Sequence, residues 1–405
     1  MRIEAKRYER RLLLFLSVAS FFEGYDFLAL AQLLPNIRAH YGLSQGEGGV
    51  LVTVVNAGTM IAYLLVRLAD RFGRKGILAL TIAGYTVCSL VSGFAPNAWI
   101  FAVFQLLARV FLIGEWAIAM VVAAEEFPAD RRGSAMGIIQ GASTLGAITC
   151  AGVVPLLLTL PGGWRTVYFV GGVPLVLLAF ARRSMRETRR FEALDRSTRP
   201  NTFAILRGPS LRRVLLLGLI WALTYVCTQN AVTFWKEFAM ADRGFTDGDV
   251  GLSVTIAAVV SVPLVFVSGR LLDLMGRRRG AVVIFVVTAL STLGAYTLTS
   301  QVTLTLALSF AIFGTTAVLQ VLNAFTAELF PTAQRADAFA WSNNLLGRIG
   351  YVGSPVIVAH AAERLGWSAA VSITSAFPIA ALILIVLFLP ETKGRELEET
   401  AAHGA

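Results

Sequence analysis

The sequence predicts an all-α membrane protein of twelve transmembrane helices, arranged as two pseudo-symmetric six-helix bundles. Three observations carry this expectation. Of 405 residues, 56% are apolar and only 15% are charged, and the mean hydropathy is +0.69, too oily for a soluble two-domain chain. Apolar runs of about 20 residues, the length that crosses a bilayer, recur from end to end. Two charged patterns also return at a separation of 203 residues. Asp70-x-x-Gly73-Arg74 recurs as Asp273-x-x-Gly276-Arg277, and Glu125-x-x-Pro128-x-x-x-Arg132 recurs as Glu328-x-x-Pro331-x-x-x-Arg335. Two independent patterns in one register require a duplicated unit. Parallel repeats of that kind build carriers whose binding site lies between the halves.

The elements follow in order. The run 11–35 comes after the basic Arg2, Lys6, Arg7, Arg10 and Arg11, and 47–67 and 77–95 flank the charged turn from Arg71 to Lys75. Runs 98–122 and 134–157 flank the first Glu-Pro-Arg pattern, and 166–182 ends at a basic stretch. The second half repeats the plan with 214–236, then 248–272 and 281–299 around Arg277 to Arg279. Runs 302–325 and 337–359 surround the second Glu-Pro-Arg pattern, and 368–389 closes the set. Residues 1–182 are thus the first bundle, 183–212 a basic cytoplasmic linker, and 213–405 the second bundle with a cytoplasmic tail.

Arg and Lys set the orientation. With both ends inside, the cytoplasmic face holds the basic start, both charged turns and the arginine-rich segment from Arg182 to Arg213, whereas the opposite loops hold only Arg38, Arg165, Lys236, Arg243 and Arg364. The expected location is the inner (plasma) membrane. The net charge of +10 then reflects this bias and contact with anionic lipid heads, not nucleic acid, because no basic block stands apart from a membrane flank. Ala29-Leu30-Ala31 mimics a signal-peptide cleavage site, but Glu23 and Asp26 interrupt the preceding run and the segment is needed to complete six helices, so it is expected to remain. Cys88, Cys150 and Cys227 fall within spans and imply neither a disulfide framework nor a metal site. Short loops leave no room for a catalytic domain. With no phosphate-binding glycine loop and no metal-ligand cluster, the chain reads as a non-enzyme without cofactors, and as a monomer.

The stretches Leu68-Ala69-Asp70-Arg71-Phe72-Gly73-Arg74-Lys75 and Gly269-Arg270-Leu271-Leu272-Asp273-Leu274-Met275-Gly276-Arg277-Arg278 resemble the signature after the second and eighth helices of major facilitator superfamily transporters. Glu328-Leu329-Phe330-Pro331-Thr332 and Pro390-Glu391-Thr392-Lys393-Gly394 resemble its sugar and metabolite porter branch. Val66 departs from the pattern, which has glycine there, while Gly269 keeps it. The resemblance implies that Asp70, Arg74, Glu125, Arg132, Asp273, Arg277, Glu328 and Arg335 form a cytoplasmic latch tying the bundles together when the site opens outward. Anchoring to lipid heads alone does not demand opposite charges at duplicated spacing.

Substrate and coupling are sought where the repeat is broken. Asp26, Glu23, Arg109, Glu115 and Arg348 align at 203 residues with Gln229, Val226, Ile312, Val318 and Leu145, so these intramembrane charges are unmatched. Glu23-Gly24-Tyr25-Asp26 resembles the acidic-glycine-aromatic-Asp motif of aromatic-acid and other metabolite proton symporters. By that resemblance Asp26 is the protonation site and Arg109 its partner. Glu23 is a second acidic site or faces water, and Glu115 is a proton relay, a cation attractor or a structural ion-pair member.

Within Trp341-Ser342-Asn343-Asn344-Leu345-Leu346-Gly347-Arg348-Ile349-Gly350, the Gly-Arg-x-Gly core resembles the eleventh helix of aromatic-acid symporters and organic-anion carriers, which implies that Arg348 receives a substrate carboxylate, with membership of the cytoplasmic latch as the alternative. Tyr25, Trp341, Tyr351, Phe22 and Trp116 are candidate aromatic walls. Gln140, Gln229, Asn230, Gln320, Asn323, Asn343 and Asn344 are candidate polar partners, with helix-to-helix hydrogen bonding as the alternative for each. The expected function is proton-coupled import of a small organic anion, an aromatic or other carboxylic acid. A sugar or polyol proton symporter is the alternative, although the paired glutamines of sugar porters are replaced by Thr224 and Tyr225; an organic-cation or drug antiporter ranks third.

Overall fold

A computed structural model describes residues 2–181, 204–206, 209–331 and 334–393. Most of the expected linker and the end of the tail lie outside them, as do the side chains of Asp70 and Arg132. The described residues form helices throughout, without strands. They group into two compact units, Met1–Gly42 with Val54–Arg199, and Leu43–Thr53 with Pro200–Ala405.

The first half holds α1 (Arg2–Tyr41), α2 (Gln45–Phe72), α3 (Arg74–Ser92), α4 (Ala98–Glu126), α5 (Ala129–Leu158) and α6 (Trp164–Ala181). The second half holds α7 (Pro209–Thr233), the short α8 (Trp235–Ala241), α9 (Asp247–Met275), α10 (Arg277–Thr297) and α11 (Gln301–Glu328). It continues through α12 (Arg335–Phe339), a π-helical stretch (Ala340–Gly347), α13 (Arg348–Ser372) and α14 (Ala376–Phe388). Among the described residues, ten segments are long and apolar enough to cross a membrane. The last of them, Asp337–Phe388, is broken at Gly366 (φ 79°) into two helices, and α6 is a further apolar helix, in keeping with a twelve-span plan.

Local chemistry sets the ends. The Asn97 carboxamide accepts from Ile100 N–H at the start of α4, and Thr246 and Asp249 close a reciprocal cap at the start of α9. The duplicated turns end α2 and α9 at Gly73 (φ 104°) and Gly276 (φ 90°), a backbone region that glycine enters without steric cost. That is why both copies carry glycine one residue before the arginine.

In the first unit α1 packs on α5 backbone to backbone. A Cβ on Gly24 would lie 1.8 Å from Ser143 O, and one on Gly146 would lie 1.8 Å from Phe21 O. The glycine of the Glu-Gly-Tyr-Asp motif therefore serves this contact, which holds Glu23 and Asp26 in place. Gly146→Val is expected to force the helices apart at a cost of about 1–3 kcal/mol, read as a fall in the thermal unfolding midpoint of the purified protein; an unchanged midpoint would contradict this packing. The second unit is built around large aromatics, with Trp221, Trp235 and Trp367 each about 1% exposed.

Candidate functional site

In the first unit the unmatched charges converge. Glu23 and Asp26 lie one turn apart on α1, while Arg109 and Glu115 come from α4, and all four are buried. Glu23 feels Glu115 and Arg109, and Asp26 feels Arg109, but no direct ion pair joins Asp26 to Arg109 among the described residues. The Arg109 guanidinium instead sits over the Phe27 ring, 4.9 Å from its centroid, with its Nη1 making no hydrogen bond. Thr81 donates to Glu115 Oε2 at 2.7 Å. Tyr85 and Ser89 turn their hydroxyls toward Asp26, and Glu23 Oε2 is a buried oxygen without a hydrogen-bond partner among the described residues. Thr81, Tyr85 and Ser89 were not singled out from sequence, although their spacing of four residues on α3 places them on one face. Three carboxyls and one guanidinium are thus gathered in this buried group.

In the second unit Arg348 is the first residue of α13, directly after the π-helical stretch, a local irregularity that re-aims side chains and recurs at functional sites. Its guanidinium lies over the rings of Tyr351 and Tyr225, 4.7 and 5.1 Å from the centroids. The two rings meet edge to face, and Tyr225 also stacks on Trp221. Tyr225 donates to Asn343 Oδ1 at 2.9 Å, leaving the Asn343 amide hydrogens free to donate. Arg348 is half-buried and has no carboxylate partner among the described residues. Gly347 and Gly350 admit α7: a Cβ there would lie 2.6 Å from Trp221 Cβ and 2.1 Å from Ala222 O. The close approach of α7 is what brings Tyr225 under Arg348.

The other candidate binding residues are dispersed. Tyr25 is buried and donates to Val167 O at 3.4 Å. Asn230 bonds Ser354 across α7 and α13, and Gln320 accepts from Ser268 across α11 and α9, both helix-to-helix links. Gln229 donates to Thr233 one turn along its own helix. Gln140 and Asn323 are exposed, and Trp341 and Asn344 are half-buried.

The duplicated charges form matching pairs within each unit. Arg74 Nη2 meets Glu125 Oε1 at 3.0 Å, and Arg277 Nη2 meets Glu328 Oε1 at 3.0 Å. Arg277 also reaches Asp273 at 3.3 Å. Arg335 donates to Phe330 O at 3.2 Å and pairs with no carboxylate among the described residues.

The Pro390-Glu391-Thr392-Lys393 segment joins the second set. Thr392 donates to Glu328, while Glu391 accepts from the backbone N–H groups of Arg277 (2.8 Å) and Arg278 (3.0 Å), capping α10. Burial pushes the Glu391 carboxyl up, but the backbone N–H groups of Arg277, Lys393, Arg278 and Thr392 outweigh it and hold the carboxyl below its ordinary value. A depressed value means that this stabilisation is full above the unfolded carboxylate pKa and fades as pH falls through the folded one. Glu391→Ala is expected to cost about 1 kcal/mol, as loss of a cap does, with the deficit visible in thermal unfolding at neutral pH and shrinking in acid; a deficit independent of pH would contradict the carboxylate's part.

A family model described as "Major Facilitator Superfamily" matches residues 16–238 and again residues 217–404. The chain is 28% identical over 390 residues to a probable 4-methylmuconolactone transporter of Cupriavidus pinatubonensis, covering 94% of this chain and 91% of that one. It is 25% identical over 398 residues to a putative niacin/nicotinamide transporter, NiaP, of Bacillus subtilis, covering 96% and 98%. Among solved structures, the inward open conformation of the xylose transporter XylE from E. coli matches with a TM-score of 0.80 at 16% identity, over 98% of this chain and all of that one. That last likeness is one of fold.

Proposed function

The chain belongs to the Major Facilitator Superfamily, and from that premise we propose that it is a proton-coupled symporter importing a small organic anion, an aromatic or other carboxylic acid. It is a multi-pass membrane transporter of a small molecule and not an enzyme. The observation that carries the substrate class is Arg348, half-buried on two phenol rings and without a carboxylate partner among the described residues. The rings steady one face of the guanidinium by cation–π attraction and leave its planar fork for a carboxylate, while Tyr225, Tyr351 and Trp221 supply aromatic surface. The relatives named for 4-methylmuconolactone and for niacin/nicotinamide agree with a small ring-bearing substrate. Proton coupling is supported by the buried group of Glu23, Asp26, Glu115 and Arg109, whose carboxyls outnumber its guanidinium.

The test is a ligand-stabilisation screen of the purified protein with nicotinate, nicotinamide, benzoate and xylose at fixed pH. Stabilisation by the acids alone is the expected result. Equal response to nicotinate and nicotinamide would refute the anion reading, and response to xylose alone would establish the sugar alternative.

A further inference from the structure

At one end of the second unit, where α9 and α14 finish and α10 begins, a cavity of about 570 Å³ opens. It has two kinds of wall. Leu274, Met275, Val282 and Val386 make one, and three of them are conspicuously uncovered, at 76% exposure for Leu274, 39% for Met275 and 41% for Val282. Arg278, Arg279 and Lys393 make the other. Arg278 donates to Val386 O and Lys393 to Leu274 O, which turns both cations toward the apolar wall, while Arg279 is exposed. None of the three has an ion-pair partner among the described residues. The one carboxylate present, Glu391, is occupied by four backbone N–H groups and does not neutralise them.

We propose that this cavity binds the phosphodiester headgroup of an anionic membrane phospholipid, with the acyl chains lying along Leu274 and Val282. A soluble anion would use the basic wall and leave the apolar one wet; a lipid at the end of a membrane span satisfies both. Basic pockets at this depth attract anionic heads at about 1 kcal/mol for each Lys or Arg. The bound headgroup lies beside Glu391 and the Arg277–Glu328 pair, so occupancy is expected to stiffen that end of the unit.

The experiment is native mass spectrometry of the full chain in detergent, titrated with dioctanoyl phosphatidylglycerol or dioctanoyl phosphatidylcholine. Phosphatidylglycerol should bind preferentially, and Arg279→Gln, Lys393→Gln and Arg278→Gln should each weaken it roughly fivefold while leaving phosphatidylcholine unchanged. Arg279 makes no hydrogen bond among the described residues, so its variant keeps the fold even where loss of the Arg278 or Lys393 bonds disturbs it, and thermal unfolding of each variant checks this. Equal binding of the two lipids, or unchanged phosphatidylglycerol affinity in Arg279→Gln, would overturn the proposal. So would displacement by inorganic phosphate or glycerol 3-phosphate at matching concentration, which marks a soluble-anion site instead. The readout is lipid binding and is independent of what the carrier transports.

Discussion

Arg348→Ala is expected to abolish uptake of the carried acid. Deleting one partner of a buried, charge-assisted contact costs about 2–5 kcal/mol, and because Arg348 is only half-buried the lower part of that range applies, still more than tenfold in affinity. The alanine variant also leaves Tyr225 and Tyr351 facing each other edge to face without the cation that bridges their faces. Arg348→Lys should recover little, since a point charge cannot present two parallel donors. The measurement is affinity for nicotinate against nicotinamide at fixed pH in the parent and both variants. An alanine variant that still prefers the acid would remove Arg348 from recognition and favour a hydroxyl-rich substrate.

The architecture was legible where its cause is local. Apolar runs, cap residues and the glycines of the charged turns are short-range signals, and the repeat of 203 residues shows in the structure as two ion pairs of equal length, Arg74 to Glu125 and Arg277 to Glu328. What eluded the sequence depends on neighbours. Gly347 and Gly350 are open to several readings until α7 is seen lying against them. Asn230 and Gln320 carry the same chemistry whether they face a ligand or another helix, and the structure spends both on helix contacts. Lys236, read as an outer-loop cation, is buried and paired with Asp247. Tyr225, Tyr85 and Ser89 look like ordinary span residues because only the fold reveals which charge each one meets.

Asp26→Asn is expected to uncouple transport from the proton gradient while preserving exchange. The buried group on α1 and α4 holds three carboxyls and one guanidinium, and Arg109 is drawn onto Phe27 without pairing directly with Asp26. Such an arrangement has two inexpensive states: a protonated Asp26 beside a released arginine, or an ionised Asp26 toward which Arg109 and the neighbouring Tyr85 and Ser89 hydroxyls turn. Asparagine matches the shape of the first state and cannot enter the second. The variant should therefore bind substrate and exchange it across proteoliposomes, yet fail to accumulate it. One pH unit supplies about 1.4 kcal/mol per proton, enough for about tenfold accumulation in the parent, so the expected ratio in the variant is unity. Glu23→Gln and Glu115→Gln decide whether the proton site is one residue or the group: if Asp26 alone carries the coupling, both keep the uphill ratio. Full uphill uptake by Asp26→Asn would remove Asp26 from the coupling step, and the excess of carboxyls would then have to act through Glu23 or Glu115.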